Sequence, residues 1–402
     1  MDKYLKKTCF EGEHYIRICG SKSESNRLLI LKALFPRVNI NNLSTSDDTI
    51  VLQQALKNMD GVVDIHHAGT AMRFLTAYLA FYTQKTVVIT GSDRMQNRPI
   101  SILVDALKSL GAKIEYVNKS GYPPLKIFPS TIDKSEVELK ADVSSQYISA
   151  LMLSAPGLSK GLKIKFTSKI TSLPYIKMTA DLMKELGFKV EFNEQFIEIN
   201  AGIPIDKTTV NVESDWSSAS YFYSLVALSP NLKLKLSTYK TNSLQGDANL
   251  SKLYEPLGVK TTFKGDKIIL ENTKCISTSN YTQNLNHSPD LAQTIAVTCY
   301  GLNIGCELSG LHTLKIKETD RLEAMQTELK KFGAIVNIDE KSLKLIPSQK
   351  IADHQKIDTY NDHRMAMAFA PLCSKTSLWI NNAEVVSKSY PNFWDDFNKL
   401  LN

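Results

Sequence analysis

Two kinds of hydrophobic pattern alternate along this chain. In the first, a run with apolar residues at helical spacing ends in Leu-Gly or Phe-Gly and leads into alternating apolar and polar residues, as in "ALKSLGAKIEY". Glycine just past a helix adopts the left-handed backbone that ends it, and alternation is typical of a strand. Copies ending at Gly111, Gly187, Gly258 and Gly333 recur roughly every 75 residues, and a shorter-spaced fifth ends at Gly61. The recurrence predicts a repeated helix-strand unit.

The second pattern is a segment that starts with polar residues and then becomes apolar on all sides. A helix that is apolar all round is buried, and Ser, Thr, Asn or Asp at its start supplies the cap. Six segments fit this description and are predicted to be buried helices. They begin at Ser21, Thr70, Ser144, Ser214, Ser288 and Asn361.

Together the two patterns give a unit of buried helix, strand, amphipathic helix and strand, present as about six copies. We therefore expect an α/β protein of two similar three-repeat domains, with helices inside and sheets outside. Polar segments "ICGSKS" and "VESDWSS" are the expected crossings between domains. The predicted domains are 20–215 and, as the second, 1–19 with 216–402, with the active site in the cleft between them.

Composition narrows the function classes. The chain has 402 residues, of which 43% are hydrophobic and 22% charged, as in soluble globular proteins. It has neither an apolar run of membrane-spanning length nor the apolar core of a signal peptide, so a cytoplasmic location is expected. Six cysteines without a C-x-x-C pair argue against a zinc ribbon and a disulfide framework. The net charge of +7 permits anionic partners without choosing among them.

The start of the first buried helix, "GSKSESNR", carries two cations where the helix dipole is already positive. Lys22 and Arg27 therefore predict a bound anion there. If the buried helices run parallel, their starts form anion-binding faces. Further basic residues lie at such starts or in loops, where each alone could be a solvated charge: Arg73, Arg94, Arg98, Lys317, Arg321, Arg364 and Lys388.

Two acids accompany these cations, and each leaves an alternative open. Asp290, in "NHSPDLAQT", could cap a helix or take an acid or base role among cations. Glu318, in "KETDR", could belong to a capping box with Thr319 as the cap, or take such a role as well. Ser144, Ser145 and Gln146 could likewise be plain helix-start residues. These patterns predict a protein that closes on phosphate- or carboxylate-bearing molecules, but not its reaction.

Read in order, "GSKSESNR", "HAGTAMR", "DRMQNRP", "SSQYISALM", "SLPYIKMT", "SDWSSASYF", "KETDRL", "NDHRMAM" and "SKSYPNF" resemble the 5-enolpyruvylshikimate-3-phosphate synthases from about residue 20 to 394. The resemblance implies the inverted α/β barrel of the enolpyruvyl transferases, in which each domain has three βαβαββ repeats with buried parallel helices. It also implies transfer of the enolpyruvyl group of phosphoenolpyruvate to the 5-hydroxyl of shikimate 3-phosphate, without a metal or organic cofactor. As partners it implies only these substrates, with no nucleic acid and no membrane, and the chain is expected to be a monomer.

The resemblance also assigns site residues. Asp290 would accept the 5-hydroxyl proton and Glu318 would protonate C3, with Lys22 near the same proton path. Shikimate 3-phosphate would be held by Lys22, Ser23, Arg27, Ser144, Ser145, Gln146, Ser172, Tyr175, Asp290, Thr313 and Lys317. Phosphoenolpyruvate would be held by Lys22, Gly69, Arg94, Gln146, Arg321, Arg364 and Lys388. Gly69 would also leave room for the inhibitor glyphosate.

Three positions differ from the usual family pattern: His67 replaces Asn, Phe74 replaces Pro, and Thr313 replaces Asn. The main rival is UDP-N-acetylglucosamine enolpyruvyl transferase, which usually carries a reactive loop cysteine, whereas this chain has no cysteine from residue 20 to 274. A nucleic-acid binder would need a basic stripe interleaved with aromatic residues, and the lysines here are scattered among acids. A binding-only relative is disfavoured because the candidate acids and cations are all present.

Overall fold

The fold is described by a computed structural model that covers residues 1–140, 144–170, 173–203, 209–348 and 350–401. The chain divides into two compact units. We call Gly20–Val212 the inserted unit, and Met1–Cys19 with Glu213–Asn402 the split unit. The inserted unit thus ends just before the boundary at 215 that the sequence predicts.

The inserted unit contains ten strands among its described residues. They are β3 (Asn39–Asn41), β4 (Gly61–Asp64), β5 (Val87–Thr90), β6 (Lys113–Tyr116), β7 (Leu125–Phe128), β8 (Glu136–Leu139), β9 (Leu162–Phe166), β10 (Val190–Phe192), β11 (Phe196–Ile199) and β12 (Thr209–Asn211). Its helices are α1 (Lys22–Leu34), α2 (Asp47–Lys57), α3 (Gly69–Tyr82), α4 (Asp93–Gln96), α5 (Ser101–Ser109), α6 (Ser145–Ser154) and α7 (Leu173–Glu185).

The split unit takes its first two strands from the N-terminus. Its strands are β1 (Lys3–Leu5), β2 (Glu11–Arg17), β13 (Asn231–Ser237), β14 (Val259–Lys264), β15 (Lys267–Asn272), β16 (Asn280–Asn284), β17 (Gly305–Ser309), β18 (Ile335–Ile338), β19 (Leu343–Ile346), β20 (Gln355–Ile357) and β21 (Leu378–Ile380). Its helices are α8 (Trp216–Leu228), α9 (Leu250–Leu253), α10 (Ala292–Gly301), α11 (Arg321–Lys331), α12 (His363–Phe369) and α13 (Phe393–Asn398).

One sheet topology recurs through both units. Four sheets of the described chain have an outer strand parallel to its neighbour and two further antiparallel strands, in the orders β4-β5-β7-β6, β8-β9-β11-β10, β2-β13-β15-β14 and β16-β17-β19-β18. Each unit adds one smaller sheet, β12-β3 or β1-β21-β20. A parallel pair needs a crossover, which the buried helices provide. The predicted fold class, with its repeated βαβαββ pattern, is confirmed.

The six predicted buried helices are confirmed as α1, α3, α6, α8, α10 and α12. Every residue of α8, α10 and α12 is buried. Several polar residues inside this packing are paired between helices, which offsets the cost of burying a hydroxyl. Ser220 of α8 lies 3.1 Å from Thr294 of α10, and one turn later Thr298 donates to Ser224 at 2.8 Å.

The glycines that end the repeated helices have the predicted left-handed backbone. Gly61, Gly111, Gly187, Gly258 and Gly333 have φ values of 70°, 114°, 88°, 82° and 104°. At Gly111 a Cβ atom would also lie 2.9 Å from the carbonyl oxygen of Thr131. In the described residues, no helix is long and apolar enough to cross a membrane.

Gly61 offers a test of the backbone requirement alone, because a Cβ atom there would meet no atom within 4 Å. Gly61→Ala is expected to lower the free energy of unfolding by about 1 kcal/mol, since only the left-handed backbone opposes it. Gly202→Ala is the control: this glycine is equally open but has no left-handed φ. Urea denaturation measures both variants, and equal effects would contradict the assignment.

Candidate active site

The first cluster lies at the start of α1 in the inserted unit. Ser21 caps the helix, its Oγ accepting from the N–H of Glu24 at 3.4 Å. Lys22 follows as the first helical residue, and its Nζ lies 3.4 Å from Oδ2 of Asp48 near the start of α2. The other oxygen of this buried carboxylate, Oδ1, has no hydrogen-bond partner among the described residues. Asp48 is a charged neighbour of the candidate site that sequence reasoning missed.

Arg27 is buried between three helices. Its Nε donates to Thr179 of α7 at 2.7 Å, its Nη1 to the Ser23 carbonyl at 2.8 Å, and its Nη2 to Ser149 of α6 at 3.4 Å and to the Tyr175 carbonyl at 3.3 Å. Burial lowers the pKa of Arg27 to about 10, which leaves it charged at neutral pH. These acceptors are all neutral, so none of the four hydrogen bonds cancels the positive charge.

Phe74, one of the unusual positions, packs against this arginine. Its ring is fully buried and lies 5.6 Å from the Arg27 guanidinium carbon, and the Tyr175 ring lies 5.9 Å from the same atom. Aromatic faces stabilise a cation at such distances. The replacement of Pro by Phe therefore adds a contact to Arg27. His67, the other unusual residue nearby, is exposed.

Arg73 and Gly69 fix the start of α3 against the segment that follows α4. Arg73 is buried and donates to the carbonyls of Gly69 at 3.3 Å and Pro99 at 2.9 Å. Burial, together with the charge of Arg98, lowers its pKa to about 10. The Arg98 guanidinium lies where a Cβ atom of residue 69 would be, so a side chain there would displace the end of this arginine. Arg94, in contrast, is exposed on α4.

The start of α6 presents the "SSQ" residues. Ser144 caps the helix, its Oγ accepting from the N–H of Gln146 at 3.3 Å, and Ser145 is buried. The Gln146 side chain donates to Thr70 at 3.3 Å, which joins α6 to the first turn of α3. The capping alternative is therefore confirmed for Ser144. Ser172 lies outside the described residues.

A second cluster, in the split unit, is organised by one guanidinium and is called the Arg321 cluster below. Its members are Lys317, Arg321, Arg364, Lys388, Asp290, Glu318 and Asp362. Arg321 is buried at the start of α11, where its Nε donates to Asp362 at 2.7 Å. Its Nη1 donates to Asp290 and its Nη2 to Glu318, each at 2.8 Å. A single planar fork thus fixes three carboxylates.

The other three cations complete the pairing. Arg364 donates to Oδ2 of Asp290 at 3.0 Å, the Lys317 Nζ lies 3.7 Å from Oδ1 of Asp290, and the Lys388 Nζ lies 3.0 Å from Glu318. Burial opposes ionisation of Asp290, but Arg364, Lys317 and Arg321 outweigh it and hold its pKa well below the usual range. For Arg321 burial favours the neutral form, yet its three carboxylates raise the pKa. These cations are therefore ion-paired within their own unit.

Two capping alternatives considered from the sequence are wrong. Asp290 lies in the 3-10 turn Pro289–Leu291, and its carboxylate accepts from arginine side chains instead of capping the helix. The N-cap of α11 is Asp320, which accepts from the N–H groups of Leu322 and Glu323, and not Thr319. One carboxylate oxygen of Asp320 accepts from both N–H groups, and so Asp320 takes the capping position that the sequence assigned to Thr319.

Two further acidic residues in or near the Arg321 cluster were not predicted from the sequence. Asp362 is fully buried and caps α12 by accepting from the N–H of Arg364 at 2.9 Å. The position of Asp362 just before a buried helix could have predicted the cap from the sequence. Nothing in the sequence indicates its hydrogen bond to Arg321. Asp247 lies in the 3-10 turn Gly246–Asn249, where burial and the charge of Asp290 raise its pKa to about 7.

Thr313 lies in the 3-10 helix His312–Ile316 of the same unit. Its Oγ1 is buried and has no hydrogen-bond partner among the described residues. A buried hydroxyl without a partner is costly unless water or a ligand supplies one. Thr313 therefore has an unused hydrogen-bonding group.

Comparisons with known proteins identify relatives over the whole chain. Residues 57–397 match the model of the family described as EPSP synthase (3-phosphoshikimate 1-carboxyvinyltransferase). A 3-phosphoshikimate 1-carboxyvinyltransferase from Bacteroides fragilis is 44% identical, covering 99% of this chain and 97% of its own. One from Haemophilus influenzae is 35% identical, covering 96% of both. The solved EPSP synthase of Acinetobacter baumannii has the same fold, with a TM-score of 0.80 at 19% identity, covering 99% of this chain and 98% of its own.

Arg27→Ala tests how far the guanidinium supports its unit. We expect the variant to lower the free energy of unfolding by about 3 kcal/mol, because a large buried side chain and its bonds to α6 and α7 are lost. Arg94→Ala, which removes an exposed arginine of the same unit, should change it by less than about 0.5 kcal/mol. Chemical denaturation of the two variants checks this. Equal losses would mean that the contacts of Arg27 contribute nothing to folding.

Asp247 generates a prediction about pH. Because its folded pKa of about 7 lies above the ordinary value, folding becomes less favourable as pH rises from about 4 to about 7, where only the unfolded state has released the proton. Asp247→Asn removes this penalty, so at pH 8 the variant should be more stable than the parent by up to about 4 kcal/mol, since each pKa unit contributes about 1.4 kcal/mol, and at pH 4 equally stable. Denaturation across this range measures the difference. Asp266→Asn, an exposed aspartate of the same unit, is the control, and parallel pH profiles for the Asp247 variant and its parent would contradict the assignment.

Proposed function

The chain belongs to the EPSP synthase family, and on that premise we propose which of its residues perform the family reaction. In that reaction the 5-hydroxyl of shikimate 3-phosphate attacks C2 of phosphoenolpyruvate while C3 gains a proton. The resulting tetrahedral intermediate then loses phosphate. The observation that carries the proposal is that Asp290 and Glu318, the assigned base and acid, each lie 2.8 Å from the same Arg321 guanidinium. This shared partner holds the two carboxylates close together on one side of the reacting atoms.

Phosphoenolpyruvate is assigned to the Arg321 cluster through Arg321, Arg364 and Lys388. The cluster has four cations and three carboxylates, and Asp247 and Asp215 also act on Arg364, so an incoming anion would compete with these acids for the cations. A bidentate guanidinium suits both a carboxylate and a phosphate. The inserted unit supplies Lys22, Gly69, Arg94 and Gln146 to the same substrate, as the family motif assigns them.

Most of the residues assigned to shikimate 3-phosphate belong to the inserted unit. Arg27 is a charged guanidinium whose hydrogen bonds go to neutral oxygens, so a phosphate dianion nearby would gain from its field. The starts of α1 and α6 add Lys22, Ser23, Ser144, Ser145 and Gln146, and Tyr175 lies beside Arg27. Ser172 belongs to this set by motif. The split unit would contribute Lys317, Asp290 and the unpartnered hydroxyl of Thr313.

Asp290 can act as a base only if its surroundings change on binding. A carboxylate beside three cations has little affinity for a proton, as its lowered pKa records. The phosphate and carboxylate groups of the substrates would bring negative charge beside Asp290, which offsets the field of Arg321, Arg364 and Lys317 and raises its pKa. Substrate binding therefore activates the base. Lys22, paired with Asp48, is the second group assigned to this proton path.

Glu318 is assigned the proton at C3. It lies between Arg321 at 2.8 Å and the Lys388 Nζ at 3.0 Å, two groups that also fix the phosphoenolpyruvate. Glu318 would enter this step protonated and give its proton to C3, while the 5-hydroxyl attacks the positive charge that develops at C2 and loses its own proton to Asp290. In the second step the C3 methyl group returns a proton to Glu318 while phosphate leaves. One carboxyl group thus serves both half-reactions.

The assignment uses residues of both units, so we propose that the two units act on the same pair of substrates. Family membership decides against the UDP-N-acetylglucosamine rival. A monomeric state, a cytoplasmic location, sensitivity to glyphosate and independence from cofactors stay predictions.

Asp290→Asn separates catalysis from folding. Wild-type protein mixed with shikimate 3-phosphate and phosphoenolpyruvate should release phosphate, and should release none when a UDP-sugar replaces the shikimate. In the variant, kcat should fall at least about 100-fold, because an amide cannot take the proton. Glu307→Gln removes a half-buried carboxylate of β17 that pairs with Lys344, outside the Arg321 cluster, and should leave kcat unchanged. Phosphate release is compared per folded molecule, and near-normal turnover of Asp290→Asn would exclude Asp290 as the base.

A further inference from the structure

A left-handed turn precedes α12 in the split unit. Tyr360 and Asn361 have φ values of 53° and 54°, and the N–H of Asp362 donates to the Thr359 carbonyl at 2.8 Å. Positive φ at both central residues defines the mirror-image type I turn, which favours Gly, Asn and Asp. Asn361 suits its position, whereas a tyrosine with positive φ is uncommon. Such a turn persists only where the surrounding structure holds it.

Glu328 of α11 holds this turn. Its Oε1 accepts from the Tyr360 hydroxyl at 2.7 Å, and its Oε2 accepts from the N–H of Asp358 at 3.2 Å. The Lys331 Nζ neutralises the carboxylate from 2.7 Å and also lies 2.9 Å from Asp358. Glu328 is fully buried although it is not a member of the Arg321 cluster. A buried carboxylate is costly, so its retention calls for a role.

The residue that this turn presents is Asp362. It accepts from Arg321 Nε at 2.7 Å and Nη2 at 3.3 Å, and from the N–H of Arg364 at 2.9 Å. Glu328 lies seven residues after Arg321 on α11, so both project from the same face of the helix. One helix thus carries the arginine and, two turns later, the group that holds the arginine's carboxylate partner in place.

We propose that Glu328 is a positioning residue for the transfer reaction. By holding the left-handed turn at Tyr360 and Asn361, it sets Asp362 against Arg321 and starts α12 with Arg364 in place. Bidentate recognition depends on the orientation of the guanidinium plane, and small misplacements of binding groups reduce rates strongly. Glu328 contacts neither substrate group in this proposal, which rests on the assignment of Arg321 and Arg364 to phosphoenolpyruvate.

Tyr360→Phe removes the hydroxyl that Glu328 accepts and leaves the ring. We expect KM for phosphoenolpyruvate to rise at least fivefold and kcat/KM to fall at least tenfold, with KM for shikimate 3-phosphate within twofold of wild type. The control is Tyr300→Phe, since the buried Tyr300 hydroxyl donates to the Phe332 carbonyl at 2.8 Å just past the other end of α11. Its hydroxyl is more buried than that of Tyr360, so this variant should lower the melting temperature at least as much and leave both KM values within twofold.

A glycine variant distinguishes positioning from general stability. Tyr360→Gly also lacks the hydroxyl but adopts the left-handed backbone without strain, so it should avoid at least half of the logarithmic loss in kcat/KM that Tyr360→Phe shows. Glu328→Gln is measured in the same way if Tyr360→Phe does not fold. Wild-type kinetics in Tyr360→Phe, or a loss equal to that of Tyr300→Phe, would overturn the proposal, as would an equal loss in Tyr360→Gly. Failure of the wild-type protein to release phosphate would instead refute the proposed function.

Discussion

Burial of six helices that are apolar on every side is the constraint on which this structure depends. Such helices cannot lie on a surface, so each unit places its sheets around them. The helix starts are then the places where buried helices meet polar surroundings. Caps such as Ser21, Ser144 and Asp362 satisfy the free N–H groups there. The same packing that makes the core thus collects polar and charged side chains at the helix starts.

The two units treat their cations differently. In the inserted unit Arg27 and Arg73 donate to neutral oxygens, so burial lowers the pKa of each. In the split unit Arg321 and Arg364 face carboxylates, and these raise their pKa against the effect of burial. Neutral acceptors leave the charge of Arg27 and Arg73 in place, whereas the carboxylates beside Arg321 and Arg364 offset theirs.

The proposed chemistry needs rigid placement of a few forked groups. Arg321 donates to three carboxylates through one guanidinium. A displacement of this guanidinium would therefore disturb the assigned acid and the assigned base together. Asp362 is the most buried of these three carboxylates, and the turn at Tyr360 and Asn361 holds its backbone in place. The left-handed backbone at Tyr360 and Asn361 costs conformational energy, and the hydrogen bonds of Glu328 offset that cost.

The sequence by itself determined the repeat, the six buried helices and the left-handed glycines. These follow from local periodicity and from the backbone freedom of glycine, which neighbours in the chain already express. The family motifs also assigned the charged site residues. Only the tertiary structure decided which charges meet. Asp290 is a partner of Arg321 and not a cap, Asp362 lies against the same guanidinium, and Asp247 has a raised pKa. Residues tens of positions apart become neighbours through packing, and electrostatic energy depends on distance in space and on burial, neither of which a local pattern contains.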